Sequence, residues 1–125
     1  MVRYVLIWVI GVVVLTGCGS PSADTAVPRM PDGMRESLPD REAGRQLFIV
    51  HCAGCHGTFD ENRSQASDRF RSAAPDFTEP AYRHAKPGFL FLAIRLGRVG
   101  MPAWAPHLNQ KETWQLVAYL LSRAE

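Results

Sequence analysis

Apolar residues crowd into a few stretches of this chain and are sparse between them. The first stretch, Tyr4 to Leu15, is a nearly continuous run of twelve residues (YVLIWVIGVVVL) with no polar face. Ser20 to Leu38 is the opposite, carrying prolines among Ser, Ala, Asp and Thr with no apolar period, and it reads as an extended flexible tether. From Asp40 to Cys52, Ala43, Leu47 and Val50 recur with Gly44 and Phe48 interleaved, which predicts an amphipathic helix. Ser37-Leu38-Pro39-Asp40 is its start, because Pro39 fits a first turn and Asp40 and Glu42 suit the positive end of a helix. Pro87 to Leu96 (PGFLFLAIRL) predicts a second helix, opened by Pro87 and closed by Gly97. Asn109-Gln110-Lys111-Glu112 has the form of a capping box, after which Trp114, Leu116, Val117, Tyr119, Leu120 and Leu121 follow at helical spacing. Thr58 to Ala74 is long and irregular.

The first apolar run governs what is left to fold. Met1 to Arg3 brings one positive charge, the run follows, and Leu15-Thr16-Gly17-Cys18 ends it with small residues, which are the parts of a secretory signal peptide over residues 1–17. Twelve apolar residues fall short of the roughly 17 to 25 that a spanning helix needs, so an uncleaved anchor is the weaker reading. The tetrad LTGC resembles a bacterial lipobox, which implies cleavage before Cys18 and acylation of its sulfur and new amino terminus; an ordinary signal peptide with an incidental cysteine is the alternative. Several acyl chains on one residue anchor stably. Residues 18–38 then form a lipidated tether and residues 39–125 the folded domain. Gly19 stands where an Asp would resemble an inner-membrane retention signal, so the outer membrane is open, as is the outer face of a single membrane. The product is exported and faces the periplasm or the outer cell surface.

Composition narrows the classes of function. With 125 residues there is enough chain for one small core, and 46% hydrophobic with 21% charged residues is ordinary for a globular protein. A formal net charge of +2 lacks the basic stripe that phosphate neutralisation requires, so no nucleic-acid partner is expected. The local picture differs, because Arg63 to Arg98 holds seven basic and three acidic residues. This is either a solvated surface or a docking face for an acidic redox partner.

Residues 52 to 56 read CAGCH, the Cys-x-x-Cys-His pattern of covalent c-type haem attachment. A helical turn ending at the second cysteine presents Cys52 and Cys55 to the two vinyl groups, and the adjacent His56 sets its imidazole beneath the iron. A structural zinc site needs about four ligands, commonly from paired clusters, and there is no second cysteine pair while His84 and His107 are isolated. A thioredoxin-like pair wants a strand and helix context that the chain lacks, and a disulfide across two residues is strained. Assigning Cys18 to lipid and the other two cysteines to haem leaves no free thiol.

With that motif in place, residues 39–125 resemble the class I monohaem cytochromes c. The resemblance implies an all-α fold, three to five helices wrapped around one covalently bound haem c. Gly100-Met101-Pro102-Ala103-Trp104 looks like the family's Met-Pro loop, which makes Met101 the sixth iron ligand and raises the reduction potential. Met101 as a core filler is the bland alternative, and His84 and His107 are the competing ligands. Gly44 and Phe48 resemble the family's small-plus-aromatic contact, with Leu116 and Tyr119 as partners on the last helix. Ala74-Pro75-Asp76-Phe77 resembles the proline-bearing loop that accepts the imidazole N–H of the histidine ligand. Phe89, Phe91, Leu92, Ile94, Leu96, Val99 and Trp104 are expected to line a dry haem pocket, with Trp104 also a contact to a haem propionate. Met30 and Met34 are expected to do nothing structural, and His51 to be exposed.

The reading that follows is a membrane-tethered carrier of single electrons, with no catalysis and no small-molecule substrate. A tether of twenty residues reaches roughly 25 Å as a coil. The alternatives are a cytochrome subunit fixed in a larger oxidoreductase and a haem protein that binds gas or peroxide, which needs an open sixth site.

Overall fold

The computed structural model describes residues 27–59, 74–75 and 77–125, so the apolar run, Cys18 and most of the Thr58 to Ala74 loop lie outside the described residues. Among the described residues the regular elements are all helical, and none of the helices is long and apolar enough to cross a membrane.

Helix α1 runs Leu38–His51. Ser37 caps it, its hydroxyl accepting from the Asp40 amide at 3.3 Å, and Pro39 occupies the first turn. The only residues it buries are Gly44 and Phe48, four apart and so on one face. A short second helix, α2, spans Ala53–His56, and Pro80–His84 form a 3-10 turn. Helix α3 runs Pro87–Leu96, the bounds expected from Pro87 and Gly97. Helix α4 runs Gln110–Arg123 behind a complete capping box: Asn109 Oδ1 accepts from the Glu112 amide at 2.9 Å, and the Asn109 amide donates to the Glu112 carboxylate at 2.8 Å.

α4 is the core element, with Thr113, Trp114 and every residue from Leu116 to Leu121 buried. Burial on nearly all sides explains its crowded apolar sequence. The buried Thr113 hydroxyl is satisfied inside the helix, donating to the Asn109 carbonyl at 2.8 Å. α1 crosses it at Gly44, where a Cβ would land on the Gln115 carbonyl and 2.9 Å from the Tyr119 Cβ. Only a residue without a side chain permits that approach. Phe48 then meets the Tyr119 ring at 5.6 Å between centroids, and Asp40 accepts from the Gln115 side-chain amide at 2.9 Å. The small-plus-aromatic contact expected at Gly44 and Phe48 is present, while Leu116 lies fully buried in α4 itself. α3 joins the same core through Phe91, whose ring stacks on Trp114 at 4.1 Å.

Residues 27–37 lie along this body rather than apart from it. Met30 and Met34 are half-buried against the core, the Arg41 guanidinium donates to the Arg35 carbonyl, and Arg35 and Arg41 reach Glu125 at 3.9 and 3.2 Å. The expectation that both methionines do nothing structural is therefore wrong. They carry no helical period because they belong to a turn-rich strap that packs through single side chains.

Candidate functional site

The CAGCH motif begins where α1 ends. The Cys52 amide donates to the Phe48 carbonyl at 2.8 Å, which continues the helical hydrogen bonding past His51. The His56 amide donates to the Cys52 carbonyl at 2.9 Å and the Gly57 amide to that of Ala53 at 2.8 Å, closing one tight turn around the motif. Gly57 ends it at φ 75°. Cys52 is half-buried at the edge of the core, Cys55 is exposed, and the two thiols are not joined to each other. Burial, with the neighbouring Cys55 second, pushes the Cys52 thiol up to about 12, so in this state it is a neutral, weakly polar group.

The His56 ring is held by aromatic neighbours, with Phe77 at 5.7 Å and Phe48 at 6.3 Å. Phe59 stacks on Phe48 at 4.7 Å, and Phe77 packs on Tyr82 at 5.0 Å, so the ring sits at the rim of an aromatic cluster. Burial lowers its pKa, and the backbone of Pro75 opposes that. Yet Nδ1 is buried without a hydrogen bond of full geometry. The Pro75 backbone thus acts on the imidazole as the expected loop acceptor but stops short of a proper bond, and the geometry decides the point. Asp76 lies outside the described residues.

Met101 follows from α3. Gly97 ends that helix at φ 74°, and a Cβ there would lie 2.6 Å from the Met101 carbonyl, 2.8 Å from the Ala103 amide nitrogen and 2.9 Å from the Pro102 carbonyl carbon. Arg98 and Met101 exchange backbone hydrogen bonds of 3.0 and 2.9 Å, with Gly100 at φ 80° in the turn between them. The Trp104 amide then donates to the Ile94 carbonyl at 3.0 Å, tying the loop to α3. Arg95 fixes the far end, donating to the Leu108 carbonyl at 3.0 Å. Met101 and Trp104 are both half-buried against the same core that borders Cys52. His84 and His107 are exposed.

One expectation needs correction. His51 is half-buried, because the Trp104 ring lies 5.3 Å from it, which links the Met101 loop to the end of α1. Among the residues expected to line a haem pocket, Phe91 and Ile94 are buried in the protein's own core, and Phe89, Leu96 and Val99 are 55, 70 and 107% exposed on the protein surface. Helical period alone did not separate the face of α3 packed on α4 from the outer face. Of the basic residues expected around the site, Arg83 and Arg95 are engaged with the Ala124 and Leu108 carbonyls, while Lys86 and Arg98 are exposed.

Two unlinked thiols on one turn, an imidazole beside them seated among aromatic rings, and a thioether at the edge of the same core suit haem c, so the residues present fit that group. A family model described as Cytochrome C oxidase, cbb3-type, subunit III matches residues 39–120. No curated protein and no solved structure matches the chain.

Proposed function

Because the chain belongs to the family described as cytochrome C oxidase, cbb3-type, subunit III, a family of c-type cytochrome domains that implies covalently bound haem c and electron transfer, we propose that it is a membrane-tethered monohaem carrier of single electrons outside the cytoplasm. The observation that carries this reading is the closed turn at Cys52 to His56, with His56 seated among aromatic rings and a Gly-Met-Pro loop fixed beside the same core.

Each residue then has a role. Cys52 and Cys55 would hold haem c through thioethers, and His56 through a ring nitrogen and Met101 through its sulfur would bind the iron. Haem c, when bound, supplies a single iron that alternates between the ferrous and ferric states. The Pro75 backbone keeps the His56 ring oriented, Trp104 offers its indole N–H to a propionate, and the aromatic cluster around His56 excludes water. With His56 and Met101 both held on the iron there would be no place for a substrate, so the proposed role is electron transfer rather than catalysis. Cys18 carries the lipid that holds the domain at a membrane, with residues 1–17 removed, and the partners are redox proteins. A fixed subunit of a larger oxidase is the second reading, favoured by the family's own description.

The experiment is absorption spectroscopy of the purified holoprotein. The expected result is a weak far-red sulfur-to-iron band in the ferric state and no response to carbon monoxide in the ferrous state. Met101→Ala removes the band, admits carbon monoxide and lowers the reduction potential, whereas His107→Ala changes none of these. Carbon monoxide binding by the unmodified protein would move it to the gas or peroxide binding class. Co-purification with a stoichiometric partner from the native membrane separates the fixed subunit from the free carrier.

A further inference from the structure

Away from the CAGCH turn, the strap meets the first turn of α3 in a way that exposes apolar and cationic side chains together. Gly88 is buried there, and a Cβ on it would land on the Pro28 carbonyl and a Val27 methyl, so the strap backbone rests directly on the helix. The groove between them has a volume of about 460 Å³, and among the described residues no Asp or Glu lines it. Arg29 and Lys86 are exposed on its walls, and no ion pair among the described residues uses either. Val27 is 41% exposed and Phe89 is 55% exposed, with the Lys86 ammonium 6.0 Å from the Phe89 ring centre.

We infer that this face lies on the membrane, with Arg29 and Lys86 against anionic phospholipid headgroups and Val27 and Phe89 at the boundary with the acyl chains. The inference rests on the lipid-anchored reading proposed above. Because the strap is packed from Val27 onward, the leash between the lipid and the packed body is the nine residues from Cys18 to Ala26 rather than the twenty that the sequence suggests. Nine residues reach at most about 30 Å whatever their conformation. The patch surrounds the point where the body meets that leash, so it is the part of the domain held nearest the bilayer. Cations beside an aromatic ring are the chemistry that anionic interfaces take up. Two cations and two apolar side chains would not hold a free domain on a bilayer, but a short leash makes the encounter intramolecular. The contact therefore sets orientation rather than attachment. The patch is at the first turn of α3 and Met101 lies beyond its last, about 15 Å along the helix, so the Met101 loop is kept off the bilayer.

The test is hydrogen exchange read by mass spectrometry on the acylated holoprotein in lipid nanodiscs. On phosphatidylglycerol-rich discs, peptides covering residues 27–30 and 86–91 should exchange several-fold more slowly than on phosphatidylcholine discs or in detergent micelles. An Arg29→Glu, Lys86→Glu double variant should lose that protection with its haem spectrum intact, which shows that it has folded. Equal exchange in all three environments, or protection that arises only when an acidic redox protein is added, overturns the inference. Intact mass keeps the two readings apart: acylated chain with an unprotected patch fails this inference alone, and unmodified Cys18 fails the anchored reading together with it.

Discussion

Gly97 supports Met101 from below. Its φ of 74° with ψ near 175° belongs to a backbone region that is essentially glycine's own, and the Met101 to Ala103 backbone passes where a side chain would be. Gly97→Ala should therefore cost about 1–3 kcal/mol in strain, and, on the proposed ligation, a displaced loop would draw the Met101 thioether away from the iron. The expected outcome is a lower urea midpoint together with a weakened far-red band; a normal band at reduced stability would show that the loop shifts without its sulfur. In the sequence Gly97 is legible as a helix stop, but not as the floor beneath the Met101 loop, because nothing local says which backbone will cross it. Cys52, Cys55 and His56 are the reverse case, since their chemistry is written in five consecutive residues. The burial of His51 is not legible in the sequence, as only the folded chain brings Trp104 to it.

At the level of elements, the crossing of α1 on α4 is pinned on its polar side by Asp40. The Gln115 amide and then Ser37 hold its carboxyl below the ordinary 3.8, with burial opposing weakly and Lys111 assisting. A carboxyl whose pKa is lower folded than unfolded contributes stability that is full above 3.8 and is lost as pH falls through the folded value below it. Asp40 is close to solvent, so the contribution is small. Asp40→Asn should unfold at lower urea than the unmodified protein at neutral pH, and the two urea midpoints should converge as the pH is taken below 3.8. A gap that persists in strong acid would assign the effect to shape rather than charge. Helices α1, α3 and α4 were legible because caps and prolines mark their ends and each carries a long apolar period. The strap was not, because its hold on the body comes from Met30, Met34 and the Val27 to Gly88 contact, none of which repeats.

Across the whole molecule, the described chain is closed on itself from both sides. Glu125 takes Arg35 of the strap and Arg41 of α1, and Arg83 donates to the Ala124 carbonyl at 3.0 Å. Outer contacts of this kind add little individually, and the burial of Phe48, Leu116, Val117 and Leu121 carries the stability. Because Phe48 is packed by Tyr119, α1 and α4 should open as one unit. Native-state hydrogen exchange should give the amides around Phe48 and those of Leu116 to Leu121 a common opening free energy, and separate values would refute the coupling. The contact at Gly44 bears on the time course of folding as well. About seventy residues separate Gly44 from Gln115, so a loop of that length must close before the backbones can touch. Its entropic penalty falls ahead of any reward from the contact, and the chain's speed of folding is therefore set by a search between its two most distant helices.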